Sequence, residues 1–546
     1  YDALNRLEQV TVNYVAGLEQ NDSNEYNIVT LYRYDAVGNR THVTDTLGSV
    51  TLSKYDALNR VERVTWNYLP EQSQNYLDEF NLVTKYGYNA IGSREIMTDT
   101  LGRVTRTEYD AANRVHFQYS ADPTVPPAEY LYDALGNRTD VIDALGKITH
   151  TEYDDLNRVE KVVQNFVSGG ATNPETNVTT RYEYDALGNR TRVIDPLLNT
   201  TQFGYDELYR NTSILNAKDQ TTTIDYDPMG RRERVTDPLG NITLYAYDLA
   251  DRSVSITVYP EPTVANTTTY QYDGLGNRTT MIDANSIVTR YDYDSLNRLE
   301  KVTENYVVNG SVNAQTNVQT TYDYDAMGNR TKIRDGRGKE TTFTYDTLYR
   351  LETETDAEGH ETRYTYDAAN RKFRLTDANA HSTQFDYDVL DRLETIQYLQ
   401  DATQVEFEYD AIGNRKAMTD TLGVTTYQYD ALNRVAQIVD PFQQTVGYQY
   451  DANGNRKQIT YPDNKQVTYN YDELNLLETV TDWTNQTVTY KFDSANRLQD
   501  IILPNGITNT LRYDDANRLT EVKYHSPNGN LMQINYTLDA VGNRIQ

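Results

Sequence analysis

A Tyr-Asp pair recurs along this chain at a spacing that leaves little freedom in how it can fold. The pair, or a close variant, starts at Tyr1, Tyr34, Tyr55 and Tyr88 and continues to Leu538, giving 24 copies in 546 residues. Of the 23 intervals between copies, 14 are 21 residues long. A unit this short cannot bury a core alone and must stack on its sequence neighbours. Residues 1–546 therefore read as one continuous array. Because the pattern runs to both termini, the chain reads as a section of a longer polypeptide.

Two versions of the motif alternate strictly as far as Tyr345. One contains glycine: Tyr34-Asp35-Ala36-Val37-Gly38-Asn39-Arg40, and likewise Tyr132, Asp133, Gly136, Asn137, Arg138 and Tyr184, Asp185, Gly188, Asn189, Arg190. The other, as in Tyr55-Asp56-Ala57-Leu58-Asn59-Arg60, reads as a turn one residue shorter. Asp can accept hydrogen bonds from the backbone two residues on. Gly and Asn tolerate the left-handed backbone that a tight reversal needs. The Arg leaving the turn is expected to pair with a carboxylate, its own repeat's Asp or a neighbour's. About ten residues later comes a second turn, such as Asp45-Thr46-Leu47-Gly48 or Asp237-Pro238-Leu239-Gly240, with β-turn chemistry.

The segments between turns are rich in Thr, Val, Ile and Tyr, which favours strands, and no helical period is sustained. Each interval reads as a hairpin. Twenty-four hairpins would supply about 48 strands, a sheet about 230 Å wide at ~4.8 Å per strand. Open twisted sheets rarely exceed about ten strands without curling. The predicted fold is therefore all-β with almost no helix: an antiparallel hairpin ribbon that spirals as a β-solenoid. Aromatic residues two apart before the turn, such as Tyr32/Tyr34 and Tyr182/Tyr184, fall on one sheet face. They should form a ladder of ring pairs on the buried face, each hydroxyl finding water or a carboxylate.

Four intervals are longer, carrying insertions near residues 13–33, 66–87, 163–181 and 305–321. They open alike, with Tyr14, Tyr68, Phe166 or Tyr306 after an Asn. They read as longer hairpins with polar tips that replace the second turn and project from the same edge. Solenoid insertions often cluster on a binding face, so these four aromatics are candidate interaction residues.

Composition removes several function classes. There is no Cys, which excludes disulfides and cysteine-zinc sites. The net charge of −29 repels nucleic-acid phosphates. No apolar run is long enough to span a membrane. No nucleophile elbow, phosphate-binding loop, EF-hand loop or HExxH sequence occurs. His360 and His381 occupy equivalent places in adjacent repeats, and Asp292/Asp294 share a face, but both patterns follow from the repeat itself. Asn-x-Thr sequons such as Asn137-Arg138-Thr139 arise from the turn in the same way. No catalytic residue, cofactor or metal ligand is assigned.

The units Tyr132-Asp133-Ala134-Leu135-Gly136-Asn137-Arg138-Thr139 and Tyr55-Asp56-Ala57-Leu58-Asn59-Arg60 resemble the YD repeat, also called the RHS repeat, over essentially the whole chain. Members include shell components of insecticidal Tc toxins, bacterial polymorphic toxins, wall-associated proteins and teneurins. The resemblance implies a spiralling ribbon that encloses a hollow shell, with an unfolded toxic domain inside in the toxin members. The self-cleaving core segment that ends such shells is not recognisable here. The expected function is a non-enzymatic structural wall, extracellular or at the cell surface and of bacterial or archaeal origin. It would serve as an encapsulating toxin-delivery shell or as the body of a fibre formed by self-association. The alternative is an adhesin that binds carbohydrate or a partner protein through the insertions.

Overall fold

A computed structural model describes residues 1–18, 25–72 and 79–546. These residues contain 46 β-strands and no α-helix. Two strands per motif overshoots this number, because the strands belong to the 23 intervals and not to the motifs. The first interval supplies Gln9–Val12 and Ile28–Tyr34, and the last supplies Leu519–Ser526 and Gly529–Asn535.

A typical repeat leaves one turn as Arg40–Thr44 and returns as Val50–Tyr55. Thr44 pairs with Val50 across the second turn, and Tyr55 with Val61 across the next Tyr-Asp turn. The ladders described are antiparallel and join strands consecutive in the chain, for example Ile28–Tyr34 with Arg40–Thr44. The Tyr-Asp ladders carry a register shift beside the tyrosine, as between Arg33 and Tyr34 and between Lys54 and Tyr55. One extra residue on the departing strand strengthens the local twist there.

The strand alternation places Tyr32 and Tyr34 on one half-buried face, with Arg33 exposed between them. That face is not the dry aromatic core expected. The fully buried apolar residues are aliphatic, among them Leu82, Val163, Val178 and Val467, and no aromatic ring is buried among the described residues. Direct ring–ring contacts are few, such as Phe117 with Tyr119 and Tyr461 with Trp483. Arginine fills the intervening places: the Arg6 guanidinium lies 4.7 Å from the Tyr34 ring centre, and Arg40 lies 5.4 Å from that of Tyr32.

The chain divides into two compact units, each built from separate stretches of ribbon. The first comprises Tyr1–Tyr130, Asp143–Leu145 and Thr289–Val424. The second comprises Leu131–Ile142, Gly146–Val288 and Thr425–Gln546. Within each unit an early stretch and a late stretch of ribbon lie edge to edge.

Candidate functional site

The two motif versions form the same turn. In the glycine version the Gly38 N–H donates to the Asp35 carbonyl, and the Asp35 N–H donates to Asn39 O at 3.0 Å. In the other, the Asn59 N–H donates to Asp56 O, and the Asp56 N–H to Arg60 O at 2.9 Å. The ladder closes six residues after the tyrosine in both, at Tyr34–Arg40 and Tyr55–Val61. The second version is therefore not one residue shorter. Asn59, with φ 60°, takes the left-handed place that Gly38 takes at φ 100°. Oδ1 of each Asp accepts the N–H groups two and four residues on, at 3.1 and 2.9 Å for Asp35 and 2.9 and 3.0 Å for Asp56. The second turn repeats this geometry: Asp45 Oδ1 accepts from Leu47 and Ser49, and Gly48 is left-handed. The Tyr-Asp turns and the regular second turns are thus the same five-residue loop.

What alternates is the residue after the left-handed position. In the glycine turn, Asn39 donates to Asp35 Oδ2 at 3.0 Å, as do Asn137 to Asp133 and Asn189 to Asp185. In the other, an arginine takes that place. Arg158 donates from Nε to its own Asp154 at 2.7 Å and from Nη1 to the next turn's Asp185 carbonyl at 2.9 Å. Its guanidinium also covers the next repeat's Tyr184 ring at 4.6 Å. One planar cation so joins a carboxylate, a carbonyl and a ring in two successive repeats. The trailing Arg40 and Arg190 of the glycine turns do not hold the turn aspartate as expected. They begin the next strand and lie over Tyr32 and Tyr182. The Arg138 carbonyl accepts from the Tyr153 hydroxyl.

The motif tyrosine closes the link. Its hydroxyl donates to the carbonyl six residues after the preceding motif tyrosine: Tyr34 to Leu7, Tyr55 to Arg40, Tyr184 to Val159 and Tyr450 to Val435, at 2.8 to 3.0 Å. The partner is thus main chain rather than the water or carboxylate expected. Hydrogen bonds from the Arg60 backbone and side chain hold the Asp56 carboxyl below the usual carboxylate range, and Arg114 does the same to Asp110 from its side chain and backbone.

The third and fourth insertions are loops and not longer hairpins, while residues 19–24 and 73–78, at the tips of the first and second, lie outside the described residues. In the third, the ladder ends at Gln164–Val178 and the remainder is a loop closed by two left-handed asparagines, Asn165 and Asn177. The Asn177 side chain accepts from the Val167 N–H and donates to the Val167 and Gly170 carbonyls, at 2.8, 3.1 and 2.8 Å. Asn27, Asn81 and Asn317 do the same in the other three. The genuinely long hairpin is Ser253–Glu261 with Val264–Tyr272. Of the four candidate interaction aromatics, only Tyr14 is exposed, at 73%. Tyr68 and Phe166 continue pairing with the preceding strand through their N–H groups, to Val50 O and Ile148 O. Phe166 stacks on His150, and the Tyr306 hydroxyl accepts from Arg290.

Sequence reasoning missed the seam inside each unit. In the first, Arg103 of a second turn pairs with Asp391 of a late Tyr-Asp turn at 2.6 Å. Thr347 receives Asn67 and donates to Glu79, while the Tyr349 hydroxyl donates to Asp45. Burial first, then that bond, pushes the Tyr349 phenol up. A cleft of about 870 Å³ runs along this seam, with Trp66, Asn67, Asp99, Arg103 and Tyr349 on its walls. In the second unit, Lys147 donates to the Asp430 and Ala431 carbonyls, Lys218 pairs with Asp472 at 2.5 Å, and Asn285 donates to Asp539. In every case a second-turn or insertion edge of the early stretch meets a Tyr-Asp edge of the late stretch. The partners are 254 to 304 residues apart.

The remaining candidates stay within their own turns. His360 contacts Asp356 at 3.0 Å, and His381 lies 3.7 Å from Asp377. No group of three His, Asp or Glu placed to hold a metal occurs among the described residues.

The teneurin YD-shell family model matches residues 146–312, 301–471 and 463–545, and the RHS repeat model matches residues 29–66. No curated protein matches the chain. Among solved structures, TcdB2–TccC3–Cdc42 superposes with a TM-score of 0.55 at 14% identity, covering 92% of this chain and 38% of that one. TcdB2–TccC3 without its hypervariable C-terminal region gives 0.55 at 16% identity, covering 93% and 32%. The Photorhabdus luminescens Tc holotoxin pore gives 0.55 at 15% identity, covering 94% and 32%. The likeness is one of fold, and this chain spans between 32% and 38% of the length of those chains.

Proposed function

The chain belongs to the teneurin YD-shell family, and from that premise we propose that it builds a non-enzymatic, extracellular wall around an enclosed polypeptide cargo. The observation that carries this reading is the seam. In each unit the ribbon comes back to lie beside itself, one row of turns docked on the other, across separations of 254 to 304 residues. A ribbon that returns to lie beside itself within each unit supports the reading of a winding wall, and a wall that winds in one layer would have an inside. Repeat-to-repeat contacts through Arg, Asp and Tyr make such a wall extensible without a filled core.

Cryo-electron microscopy of the purified chain tests this. Class averages should show a coiled wall around a low-density interior. A solid body, or a flat ribbon, would overturn it. The adhesin reading rests on Tyr14, the exposed member of the four candidate aromatics. Glycan or cell-surface binding that disappears with Tyr14→Ala would favour that reading instead.

A further inference from the structure

The residue before a motif tyrosine pairs across the ladder with the residue eight after that tyrosine. Where both are charged, the usual arrangement is one of opposite signs. Glu152 faces Lys161, Glu183 faces Arg192 and Asp292 faces Lys301. These form ion pairs at 2.6, 2.9 and 2.9 Å. One place in the first unit reverses the pattern. Lys54 faces Arg63, and Arg63 faces Lys85 on the strand after it. Three cations thus stand in register on one sheet face, across Val50–Tyr55, Val61–Trp66 and Leu82–Tyr88, within about 10 Å. Like charges directly opposite destabilise a sheet. None of the three side chains has an ion pair or hydrogen bond among the described residues. Arg192, at the place of Arg63 in its own repeat, shares with it a buried, unpartnered Nε, but its Nη1 holds Glu183. Arg63 has Lys54 where Arg192 has that carboxylate.

The row lines a cleft of about 490 Å³. Glu62 stands on its wall and forms no ion pair with the three cations. Beyond Lys85 the wall continues with Gly87 and with Ile96, which is 39% exposed. A Cβ on Gly87 would stand 3.2 Å from that of Ile96, so glycine keeps this end open. In a chain of net charge −29, three unpaired cations around one cavity are a local reversal of sign. Negative charge more than a Debye length away, ~8 Å at physiological salt, is screened and does not cancel the row at contact distance. It does oppose a long polyanion, which would extend past the row along a strongly negative molecule. The fit is to one compact, multiply charged group.

We infer that Lys54, Arg63 and Lys85 form a binding site for a single phosphate or sulfate group, free or as a monoester. A tetrahedral oxoanion presents oxygens in several directions, which suits a guanidinium fork flanked by two ammonium point charges. Its charge offsets the repulsion that the row builds into the sheet, so binding stabilises the fold. The cleft leaves room for the organic part of an ester between Ile96 and Glu62. This site does not depend on what the ribbon encloses.

Isothermal titration calorimetry on the full chain tests the inference, at ~150 mM ionic strength and about pH 7.5, where a phosphate monoester is largely dianionic. The probes are inorganic phosphate, inorganic sulfate, glucose 6-phosphate and acetate. Phosphate or sulfate should bind saturably at one site per chain, and acetate should not compete. Tighter binding of glucose 6-phosphate than of phosphate would support the ester as ligand, and weaker binding the free ion. Arg63→Gln should weaken binding about tenfold or more, and Lys54→Gln and Lys85→Gln several-fold each. Lys161→Gln, whose lysine is already held by Glu152, should leave it unchanged. Because Arg63→Gln relieves repulsion, it should melt no lower than the wild type without ligand. If it does melt lower, the double variant Lys54→Gln, Lys85→Gln, at two exposed positions, carries the same test. Absence of saturable binding by phosphate, sulfate and glucose 6-phosphate would overturn the inference. Binding that survives both Arg63→Gln and the double variant, or acetate competing as well as phosphate, would overturn it equally.

Discussion

Gly188 offers a way to weigh the turn backbone apart from packing. Its φ is 94°, and a Cβ built there would meet nothing within 4 Å. A side chain therefore costs conformation alone. The same place is filled by Asn157 at φ 61° in the other version of the turn. Gly188→Asn should accordingly cost no more than about 0.5 kcal/mol, since Asn visits this region with local help. Gly188→Ala should cost about 1 kcal/mol, and Gly188→Val, branched at Cβ, about 2–3 kcal/mol. The damage should stay within the hairpin formed by Val178–Tyr184 and Arg190–Ile194, because repeats open locally. Native-state hydrogen exchange reads it directly, as about 5-fold faster exchange for Ala and roughly 30- to 150-fold for Val, from a tenfold change per ~1.4 kcal/mol. Wild-type protection in the Val variant would refute the left-handed assignment. Equal damage from Asn and Val would show that the cost is steric and that the two turn versions are not interchangeable.

Tyr450→Phe removes the hydroxyl that donates to Val435 O at 2.9 Å and should cost about 0.5–1.5 kcal/mol, seen as faster exchange in the strand Val435–Val439. Asn177→Ala strips the clasp of the third insertion, removing the partner of the Val167 N–H and the Gly170 carbonyl and leaving the Val167 carbonyl only the Gly170 N–H. About 2–3 kcal/mol of local stability should go, and limited proteolysis should cut within residues 165–177 where the wild type resists. Acid should unfold the chain through its turns. The folded pKa values of Asp56, Asp110 and Asp206 lie below the unfolded value, so their stabilisation is complete above it and is lost as pH falls through the folded values. Thermal melts should hold steady from neutrality to about pH 5 and fall steeply below pH 4; a midpoint unchanged at pH 3 would refute the role of these carboxylates. Tyr349 has the opposite sign: its raised pKa adds stability that is lost as pH rises past that of an ordinary phenol.

The hairpin, the absence of helix and the shared face of Tyr32 and Tyr34 were all legible in the sequence, because each rests on a period of two and on the local chemistry of Asp, Gly and Asn. The turn's true length was not. Counting from Tyr to Arg makes Tyr55–Arg60 look shorter than Tyr34–Arg40, yet the left-handed residue and the closing pair hold the same places in both, and the two arginines stand at different places, one in the turn and one on the strand. The alternation of Arg at five and at six positions was the available signal. Its meaning appears only once the neighbouring repeat's carbonyl and ring are in place. The insertions misled for a related reason. Asn27, Asn81 and Asn177 recur at the ends of their loops, and surface loops often carry polar tips. Here they are buried clasps, because an asparagine amide can satisfy a donor and two acceptors that the ladder leaves off. The seam was illegible, since no local pattern reports which turn lies 254 to 304 residues away.

The distribution of burial says what kind of stability such a chain can have. Few apolar side chains are fully buried among the described residues, and several of those, Leu82, Val163 and Val178, sit at the bases of insertions. A conventional core would concentrate stability in contacts distant in sequence, and losing one element would unravel the rest. Here most partners are one repeat away: Arg158 to Asp185, Tyr184 to Val159, Asn137 to Asn157. Stability then accumulates by nearest neighbours, and folding can start anywhere and spread. Among the described residues the long-range term comes from the seam, through ion pairs and hydrogen bonds such as Lys218–Asp472 and Arg103–Asp391. Exposed pairs of this kind contribute modestly and are weakened by salt. The seam should therefore part before the hairpins do, so that Arg103→Ala raises hydrogen exchange at the docked turns while leaving the hairpin ladders protected. Simultaneous loss of both would mean that the seam, and not the repeat, holds the ribbon together.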